Sequence, residues 1–298
     1  MPWRSVPSAD PTLGLGRVEL WRCESCGTAV TGGPLPAQLY ETGAYADRSP
    51  RLPALARPAL RAFDRQRLSL IRPLGAPPAH LLDAGAGRGR FVASARDAGY
   101  AARGIEPSLR GVRAAGQSGV ELQHAGIEQA EMAPGSCDVV SLWHVLEHLS
   151  DPAHALNRVA TWLRPGGVLL VGAPNLDSLQ ARLGGERWFH LDVPRHRVHF
   201  TPRGLDALLG RHGFTVLRTH HLLAEHNPFG MWQSLVSRLT RQPSYVYNLL
   251  KRNAPLWSAD LVISLAALPL APVAALLELA AGAGGRGGTI AVLARRAG

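Results

Sequence analysis

The stretch HLLDAGAGRGRF, residues 80–91, decides the fold of this 298-residue chain. A short apolar strand at 80–82 runs into Asp83, and glycines follow at 85, 87 and 89 before a helix-like segment. Glycines at alternate positions let the backbone turn tightly and bring bare N–H groups close to a ligand. The stretch therefore predicts a turn that holds a cofactor with an adenosine end and a charged tail.

An acidic residue follows this turn at a suitable distance. GIEPS, residues 104–108, ends a second predicted strand on Glu106. A carboxylate about 20 residues past such glycines accepts hydrogen bonds from both ribose hydroxyls of a bound nucleoside. The two features fit a nicotinamide dinucleotide or S-adenosylmethionine, and a turn that binds nothing is the bland alternative. The spacing D-x-G-x-G-x-G, which departs from G-x-G-x-x-G, favours S-adenosylmethionine.

Composition excludes few classes of protein. The net charge is +10, but the basic residues are almost all arginines, with Lys251 the single lysine, and they are scattered. This pattern favours a diffuse surface charge over a nucleic-acid surface. Three cysteines, Cys23, Cys26 and Cys137, argue against a disulfide framework and for a reducing compartment. No secretory signal is visible in the sequence, so we predict a cytoplasmic location, peripheral at the inner membrane face if the chain contacts lipid.

From residue 79 onward, strand and helix patterns alternate, which predicts a parallel sheet. The Pro-, Gly- and Ser-rich residues 1–20 are predicted to be a loose arm, and 51–74 to form one or two helices. The later predicted strands lie at 79–83, 101–105, 120–123, 137–142, 167–172, 214–222 and 289–296. The predicted helices lie at 89–98, 107–116, 152–163 and 203–212, the last with Thr201 as its N-cap and the third ending at the turn LRPGG, 163–167.

Five segments together resemble the class I S-adenosylmethionine-dependent methyltransferases. They are LLDAGAGRGRF, GIEPS, CDVVSLWHVLEHLSDP, LRPGGVLLVGAPN and the late strand pair. The resemblance is nearest to ubiquinone-biosynthesis-type O-methyltransferases and related bacterial methyltransferases, and it covers residues 75–222 and the final strand. It implies an α/β, Rossmann-like fold whose seven-stranded, mostly parallel sheet has the order 3-2-1-4-5-7-6, with strand 7 antiparallel and helices on both faces.

The resemblance also implies a division of the chain. A methyltransferase domain would comprise 36–222 and 289–298, after an N-terminal arm at 1–35. A helical, partly apolar insertion at 223–288 would precede the last strand. The arm carries Cys23-x-x-Cys26, which resembles the second half of a zinc ribbon. Its first half is missing from the sequence, so we predict no metal site.

The cofactor residues follow from the turn, from the acidic strand end and from the resemblance. Asp83 is expected to orient the turn. Ile127 follows the third strand of the sheet, where the family contacts adenine, although core packing explains it equally well. The residues predicted to contact S-adenosylmethionine are Asp83, Gly85, Ala86, Gly87, Gly89, Glu106, Pro107, Ile127, Trp143 and His144.

Candidate catalytic residues are histidines, because a histidine can take a proton from an acceptor hydroxyl. WFHLDVPRHRVHF, residues 188–200, supplies His196 as first choice and His190 as second, and the end of the fourth strand of the sheet supplies His144. Methyl transfer needs mainly positioning, so a base is optional. The alternative is that Asp192 and Arg195 brace this loop while its histidines bond to backbone. H-x-x-E-H, residues 144–148, matches a zinc motif, but the resemblance accounts for it without metal.

The insertion is the most individual part of the chain. Residues 261–277 carry no charge, and Pro269 and Pro272 interrupt them. A straight helix of this length would measure about 26 Å, short of a bilayer core of roughly 30 Å. A single crossing would also separate two strands that must pair. We therefore predict contact of 229–281 with a membrane surface. A cover for the protein's own core and a homodimer interface are the alternatives.

The function favoured by these features is O-methylation of a small-molecule or lipid acceptor. The first alternative is an RNA methyltransferase, suggested by the charge. Against it, no RNA-binding module is visible, and the position of an N-P-P-Y-type motif reads Ser141-Leu-Trp-His144. The second is a non-catalytic S-adenosylmethionine-binding protein, since the turn and Glu106 argue only for binding.

Overall fold

The computed structural model describes residues 1–10, 13–34, 39, 53–225, 227–251 and 253–298. Its strands are β1 (Pro2–Pro7), β2 (Arg17–Arg22), β3 (Ala29–Thr31), β4 (His80–Ala84), β5 (Ala101–Glu106), β6 (Gln123–His124), β7 (Cys137–Trp143), β8 (Leu163–Pro174), β9 (Val198–His199), β10 (Phe214–His220) and β11 (Thr289–Arg296). Its α-helices are α1 (Pro53–Ile71), α2 (Arg90–Asp97), α3 (Leu109–Gly116), α4 (Pro152–Trp162), α5 (Leu179–Gly184), α6 (Pro202–Arg211), α7 (Asn227–Val236), α8 (Tyr245–Leu250), α9 (Ala259–Ala266) and α10 (Ala271–Ala283).

A seven-stranded sheet has the order β10-β11-β8-β7-β4-β5-β6. The neighbours from β8 to β6 pair in parallel, whereas β10 and β11 pair antiparallel. Numbered by chain order within the sheet, this is 3-2-1-4-5-7-6 read from the β6 edge. The predicted fold class is therefore confirmed.

Local chemistry explains why this sheet forms. Leu81 and Leu82 of β4 and Val139 and Val140 of β7 are fully buried, as expected of strands in the middle of a parallel sheet. Helices α3 and α4 begin at side-chain caps, Ser108 and Asp151, and the Asp151 carboxylate accepts from the backbone N–H of His154 at 2.9 Å. Because β4 pairs in parallel with β5 and with β7, the carboxyl ends of these three strands lie at one edge of the sheet.

The chain separates into two compact units, each built from three segments. The first comprises 1–57, 174–204 and 221–290, and the second comprises 58–173, 205–220 and 291–298. The predicted arm at 1–35 and the predicted insertion at 223–288 thus belong to the same unit, together with residues 174–204. The seven-stranded sheet belongs mainly to the second unit.

The first unit contains a four-stranded antiparallel sheet in the order β1-β2-β3-β9. The predicted loose arm at 1–20 is therefore wrong, because Pro2–Pro7 and Arg17–Arg22 pair with each other. Val6, Val18 and Leu20 are buried in a cluster with Trp188 and Val193. The apolar face of this hairpin packs against residues that lie far away in the sequence. The composition of residues 1–20 alone therefore did not indicate that they form strands.

Some predicted boundaries need correction. The strand predicted at 120–123 is limited to Gln123–His124, and the segment 163–167 predicted as a turn is the start of β8. Leu163 pairs with Cys137, and the register shifts before Val139 pairs with Val168, so the Pro-Gly-Gly run is accommodated as an irregularity within the strand pair. The predicted N-cap of α6 is confirmed, since the Thr201 hydroxyl accepts from Gly204 N at 3.0 Å.

The insertion consists of helices α7 to α10, joined by turns. Met231, Trp232 and Val236 of α7 form an apolar cluster with Ala267 and Ala274. Among the described residues, none of the helices has the length and apolar content to cross a membrane alone. The pair formed by Ala259–Ala266 and Leu268–Ala283 satisfies those criteria jointly, with a bend of 41° between its halves.

Candidate active site

The glycine turn between β4 and α2 is the centre of the candidate site. Gly85, Gly87 and Gly89 all have positive φ, at 82°, 57° and 73°, a region that other residues enter at a cost. A Cβ at Gly85 would lie 2.5 Å from Val145, and one at Gly89 would lie 2.7 Å from Val120. A Cβ at Gly87 would meet nothing within 4 Å. Gly87 therefore borders open space, whereas the packing around Gly85 and Gly89 leaves no room for a side chain.

Glu106, at the end of β5, lies directly against this turn. Its Oε2 accepts from Gly87 N at 2.8 Å, and its Oε1 accepts from Ser108 N at 2.9 Å. Each carboxylate oxygen has a further lone pair, so two additional donors can be accommodated. This arrangement leaves room for the two ribose hydroxyls of an adenosyl group beside Gly87, and the contact of Glu106 with the ribose stays a prediction.

The helix that follows β5 packs closely against both Gly87 and Glu106. A Cβ on Gly111 of α3 would lie 2.7 Å from Gly87 O and 2.8 Å from Glu106 Cγ. The first turn of α3 thus packs closely on both groups and fixes their separation. Sequence reasoning did not single out Gly111, although a glycine inside a predicted helix can signal such a close approach.

Asp83 is held by an arginine that the sequence analysis did not identify. Arg67 of α1 lies 3.0 Å from the Asp83 carboxylate and donates to Ser141 Oγ at 2.7 Å. Its guanidinium also lies 3.6 Å from the ring centre of Phe91 and 4.6 Å from that of Trp143. Asp83 and Arg67 are both buried. Arg67 therefore links α1, the glycine strand and β7 through one buried charge pair.

Trp143 and His144 emerge where β7 ends. His144 has a φ of 55°, and its backbone N–H donates to Gly172 O at 2.9 Å. Its Nδ1 lies 2.9 Å from Oε1 of buried Glu147. An ionised carboxylate only accepts, so with Glu147 ionised it is His144 Nδ1 that carries the hydrogen of this bond. His144 Nε2 is a buried atom. A single 3-10 turn, Leu146–His148, follows His144 along the chain.

Three other predicted cofactor residues lie near the turn. Ala86 N donates to Ile105 O at 2.9 Å, so Ala86 belongs to the turn itself. The carbonyl of Pro107 accepts from His124 Nε2 at 3.0 Å, which ties the ends of β5 and β6 together. Ile127 is buried. Burial agrees with the core-packing alternative for Ile127, and its contact with adenine stays a prediction.

His190 and His196 belong to the first unit. Both are buried, and His196 Nδ1 lies 2.8 Å from the carbonyl oxygen of His190. The loop is braced by Arg195, which lies 2.6 Å from the Asp10 carboxylate and 3.2 Å from that of Asp192. This pairing is the structural alternative considered for the loop. A catalytic role for His190 or His196 stays a prediction.

The Cys23-x-x-Cys26 turn lies in the first unit. The pKa of the exposed Cys23 thiol is lowered to about 6, because hydrogen bonds from the Ser25 side chain and from nearby backbone stabilise the thiolate. Over the described part of the chain, no third sulfur, imidazole or carboxylate completes a metal-binding group with the two cysteines.

Replacing Glu106 with glutamine should weaken cofactor binding. Glutamine keeps the size of the side chain, but an NH₂ group replaces one of the two carboxylate oxygens. That group is a donor and would face the backbone N–H of Gly87 or Ser108, which is also a donor. Hydrogen bonds to a charged group contribute about 1.5–3 kcal/mol each, so we expect the Kd of S-adenosylhomocysteine to rise roughly tenfold to a hundredfold, measured by calorimetry. Glu121→Gln, at an exposed carboxylate, is the control. Equal affinities for the two variants would contradict the assignment.

Cofactor affinity should also depend on pH through the same carboxylate. Burial raises the pKa of Glu106 above its usual value, and hydrogen bonds from Ser108 N and Gly87 N oppose the rise. The ionised form is the one that accepts ribose hydroxyls, so affinity is constant above the raised pKa and falls as pH drops through it. We expect this loss at a less acidic pH than for an ordinary glutamate. Titrations in a pH series test this, and Glu106→Gln should show no such step.

Comparisons with known proteins agree with this geometry. A family profile described as "Methyltransferase domain" matches residues 55–219. A ubiquinone biosynthesis O-methyltransferase of Sodalis glossinidius is 32% identical over 161 residues, covering 50% of this chain and 64% of that protein. One from Aeromonas salmonicida is 34% identical over 139 residues, covering 42% and 58%. The match thus spans roughly three fifths of the length of these two relatives.

Solved structures share the fold at low identity. A SAM-dependent methyltransferase from Archaeoglobus fulgidus aligns with a TM-score of 0.52 at 18% identity, covering 79% of this chain and 94% of that one. The [4+2]-cyclase SpnF aligns with a TM-score of 0.52 at 20% identity, covering 78% and 80%. Since a cyclase has this fold as well, these structures establish the fold and leave the reaction to be argued from the site.

Proposed function

The chain belongs to the class I S-adenosylmethionine-dependent methyltransferases, and on this premise we propose that it transfers a methyl group to an oxygen of a small or lipophilic acceptor. The observation that carries the proposal is the open glycine turn beside Glu106, where Gly87 N and the Glu106 carboxylate meet at 2.8 Å. This is the part of the site that recognises the cofactor, and its residues all lie in the domain matched by the family profile.

The bound cofactor supplies an electrophilic methyl group on a sulfonium sulfur. The residues of the chain bind and orient it. Glu106 accepts the ribose hydroxyls, and the glycine turn lies along the adenosyl group. The Arg67–Asp83 pair fixes the strand that carries the turn. Holding two reactants in line lowers the barrier by removing translational and rotational freedom before the reaction. Positioning is therefore the main contribution we assign to these residues.

His144 is the residue we assign to proton removal. Its Nδ1 is held by Glu147, which orients the ring, and Nε2 is the atom that we assign as the proton acceptor. An acceptor hydroxyl that takes the methyl group must lose its proton. The hydroxyl proton passes to Nε2 of His144. The carboxylate of Glu147 then stabilises the imidazolium, as in other histidine–carboxylate pairs.

The acceptor class rests on the curated relatives. The names of the two described above assign them O-methylation in ubiquinone biosynthesis, and their identity to this chain is 32% and 34% over about half of its length. An acceptor hydroxyl on a small aromatic or lipophilic molecule is the chemistry these names suggest. The His144–Glu147 pair supports oxygen as the methylated atom, since a hydroxyl must lose its proton.

A tritiated-methyl assay tests the proposal. The full chain is incubated with the labelled donor and either catechol-type phenols or a membrane lipid extract, and the products are identified by mass spectrometry. We expect label in an organic-extractable methyl ether. His144→Gln should lower kcat by about a hundredfold or more, the range typical of a lost general base.

The control for this assay is His154→Gln, because His154 is exposed on α4. Its activity should equal that of the unmodified chain. Label in no extractable species, while S-adenosylhomocysteine binds normally, would refute methyl transfer to such acceptors and favour a binding protein without this activity. An unchanged kcat in His144→Gln would refute the role of His144 alone.

A further inference from the structure

The last two helices of the insertion have buried polar residues and exposed apolar residues. Asp260 and Glu278 are each 3% exposed, and Ser264 is buried, so α9 and α10 turn polar residues towards the protein. Their large apolar residues point outward. Helices on a surface facing water show the opposite arrangement, with apolar residues turned towards the core.

The exposed side chains form one apolar face, which we call the α9–α10 face. Trp257 is 92% exposed and Leu276 is 66% exposed. The other members are also large and exposed: Leu256, Val262, Leu265, Leu268, Leu270, Val273, Leu277 and Leu279. Contiguous apolar surface of this kind on a soluble chain marks an interaction site.

Buried hydrogen bonds hold the helices in this orientation. The Asp260 carboxylate accepts from the backbone N–H groups of Arg241 and Gln242 at 2.8 and 2.9 Å. Glu278 accepts from Gly288 N at 2.7 Å, and Gln180 Nε2 donates to it at 3.2 Å. Rotating either helix to bury its leucines would leave these carboxylates without donors, which is costly. The exposed face is therefore a fixed feature of this unit.

The exposed charge of the insertion has one sign. The acidic residues in 223–288 are Glu225, Asp260 and Glu278, and all three are buried. The basic residues Arg238, Arg241 and Arg286 are exposed. Among the described residues, the exposed charges of the insertion are thus positive. Positive charge on the unit that carries an apolar face complements a bilayer with anionic headgroups.

The connections of the insertion exclude a crossing of the bilayer. The chain enters it from β10 and leaves it into β11, and these two strands pair antiparallel in one sheet. Helices of 8 and 13 residues, α9 and α10, are about 12 and 20 Å long, less than the roughly 30 Å of a bilayer core. Both ends of the insertion must therefore remain on the same side, with the helices lying in the interface.

We propose that the α9–α10 face docks the protein on the surface of a bilayer that contains anionic lipids. Trp257 lies at the headgroup level, where indole rings are favoured. A second copy of the chain is the competing occupant. It would bring two positively charged insertions together, which disfavours that pairing. The proposal does not depend on the reaction catalysed, because vesicle binding is measured without cofactor or acceptor.

Vesicle flotation with the purified full chain tests this docking. The vesicles consist of phosphatidylcholine with or without phosphatidylglycerol, at low and at high salt. We expect binding to the anionic vesicles that weakens with salt. Leu276→Glu should lower the partition coefficient at least about tenfold, because one buried leucine contributes roughly 1.5–3 kcal/mol. Leu217→Glu, at an exposed leucine of β10, should leave binding unchanged.

A second variant and a second measurement keep the test decisive. Val273→Glu alters the same face at another exposed position and replaces Leu276→Glu if that variant does not fold. Sedimentation equilibrium of each protein gives its oligomeric state. Vesicle binding that survives both glutamate variants would overturn the proposal. So would a dimer that Leu276→Glu dissociates while the unmodified chain ignores vesicles. Equal binding to neutral and anionic vesicles would overturn the assignment of anionic lipid.

Discussion

Gly87→Leu should abolish cofactor binding while the chain still folds. A Cβ at this position meets no atom of the protein within 4 Å, so a leucine side chain would extend into the open space assigned to the adenosyl group. No rearrangement of the protein is needed to accommodate the leucine, whereas the cofactor would be excluded sterically. We expect the Kd of S-adenosylhomocysteine to rise at least about a thousandfold, equal to about 4 kcal/mol, measured by calorimetry.

Gly166→Leu is the matched control for this variant. Gly166 also has a positive φ, 74°, and a Cβ there would also meet nothing within 4 Å. Both substitutions therefore carry the same cost of roughly 1–2 kcal/mol for a left-handed residue, and their melting temperatures should fall by similar amounts. Only Gly87→Leu should lose the cofactor. Normal affinity in Gly87→Leu would show that the cofactor does not lie over this turn.

The second large effect is expected from Arg67→Met, which acts on stability. Methionine preserves much of the packing against Phe91 and Trp143 but removes the charge that lies 3.0 Å from the Asp83 carboxylate. Breaking one side of a buried pair leaves an uncompensated charge and typically costs about 3–5 kcal/mol. We expect the free energy of unfolding, measured in urea, to fall by about this amount.

The same helix provides the control for Arg67→Met. Arg65 lies two residues earlier on α1 and is exposed, so Arg65→Met should change the free energy of unfolding by no more than about 0.5 kcal/mol. Arg67→Lys keeps a positive charge and should recover part of the loss, because one of the donors to Asp83 or Ser141 can be retained. Indistinguishable stabilities of Arg67→Met and Arg65→Met would contradict the structural role of the pair.

The glycine turn and its acidic partner were largely predictable because the sequence pattern that specifies them is local. Glycine enters the positive φ region readily, as Gly85, Gly87 and Gly89 do, and Glu106 follows at the end of the next strand. These features lie within one strand–turn–helix–strand unit, and the order of the sheet came from the resemblance. A sequence pattern of this length is enough to fix both the turn and its acidic partner.

Other features depend on contacts between distant residues and were missed for that reason. Arg67 belongs to a basic helix face that sequence alone assigns to solvent, yet it pairs with Asp83 on a strand. The strands Pro2–Pro7 and Arg17–Arg22 acquire their core from the segment around Trp188. The uncharged stretch at 261–277 was visible in the sequence, but which side of its helices faces outward was not. Only the buried carboxylates of Asp260 and Glu278 determine that orientation.

Calorimetric titration of the purified chain with S-adenosylhomocysteine and with NAD⁺ tests the central claim most directly. The claim is that an adenosyl group without a second nucleotide binds over Gly87 with its ribose on Glu106. We predict one binding site for S-adenosylhomocysteine and no heat with NAD⁺. Binding of NAD⁺ in its place, or no heat from either the methyl donor or its demethylated product, would contradict it.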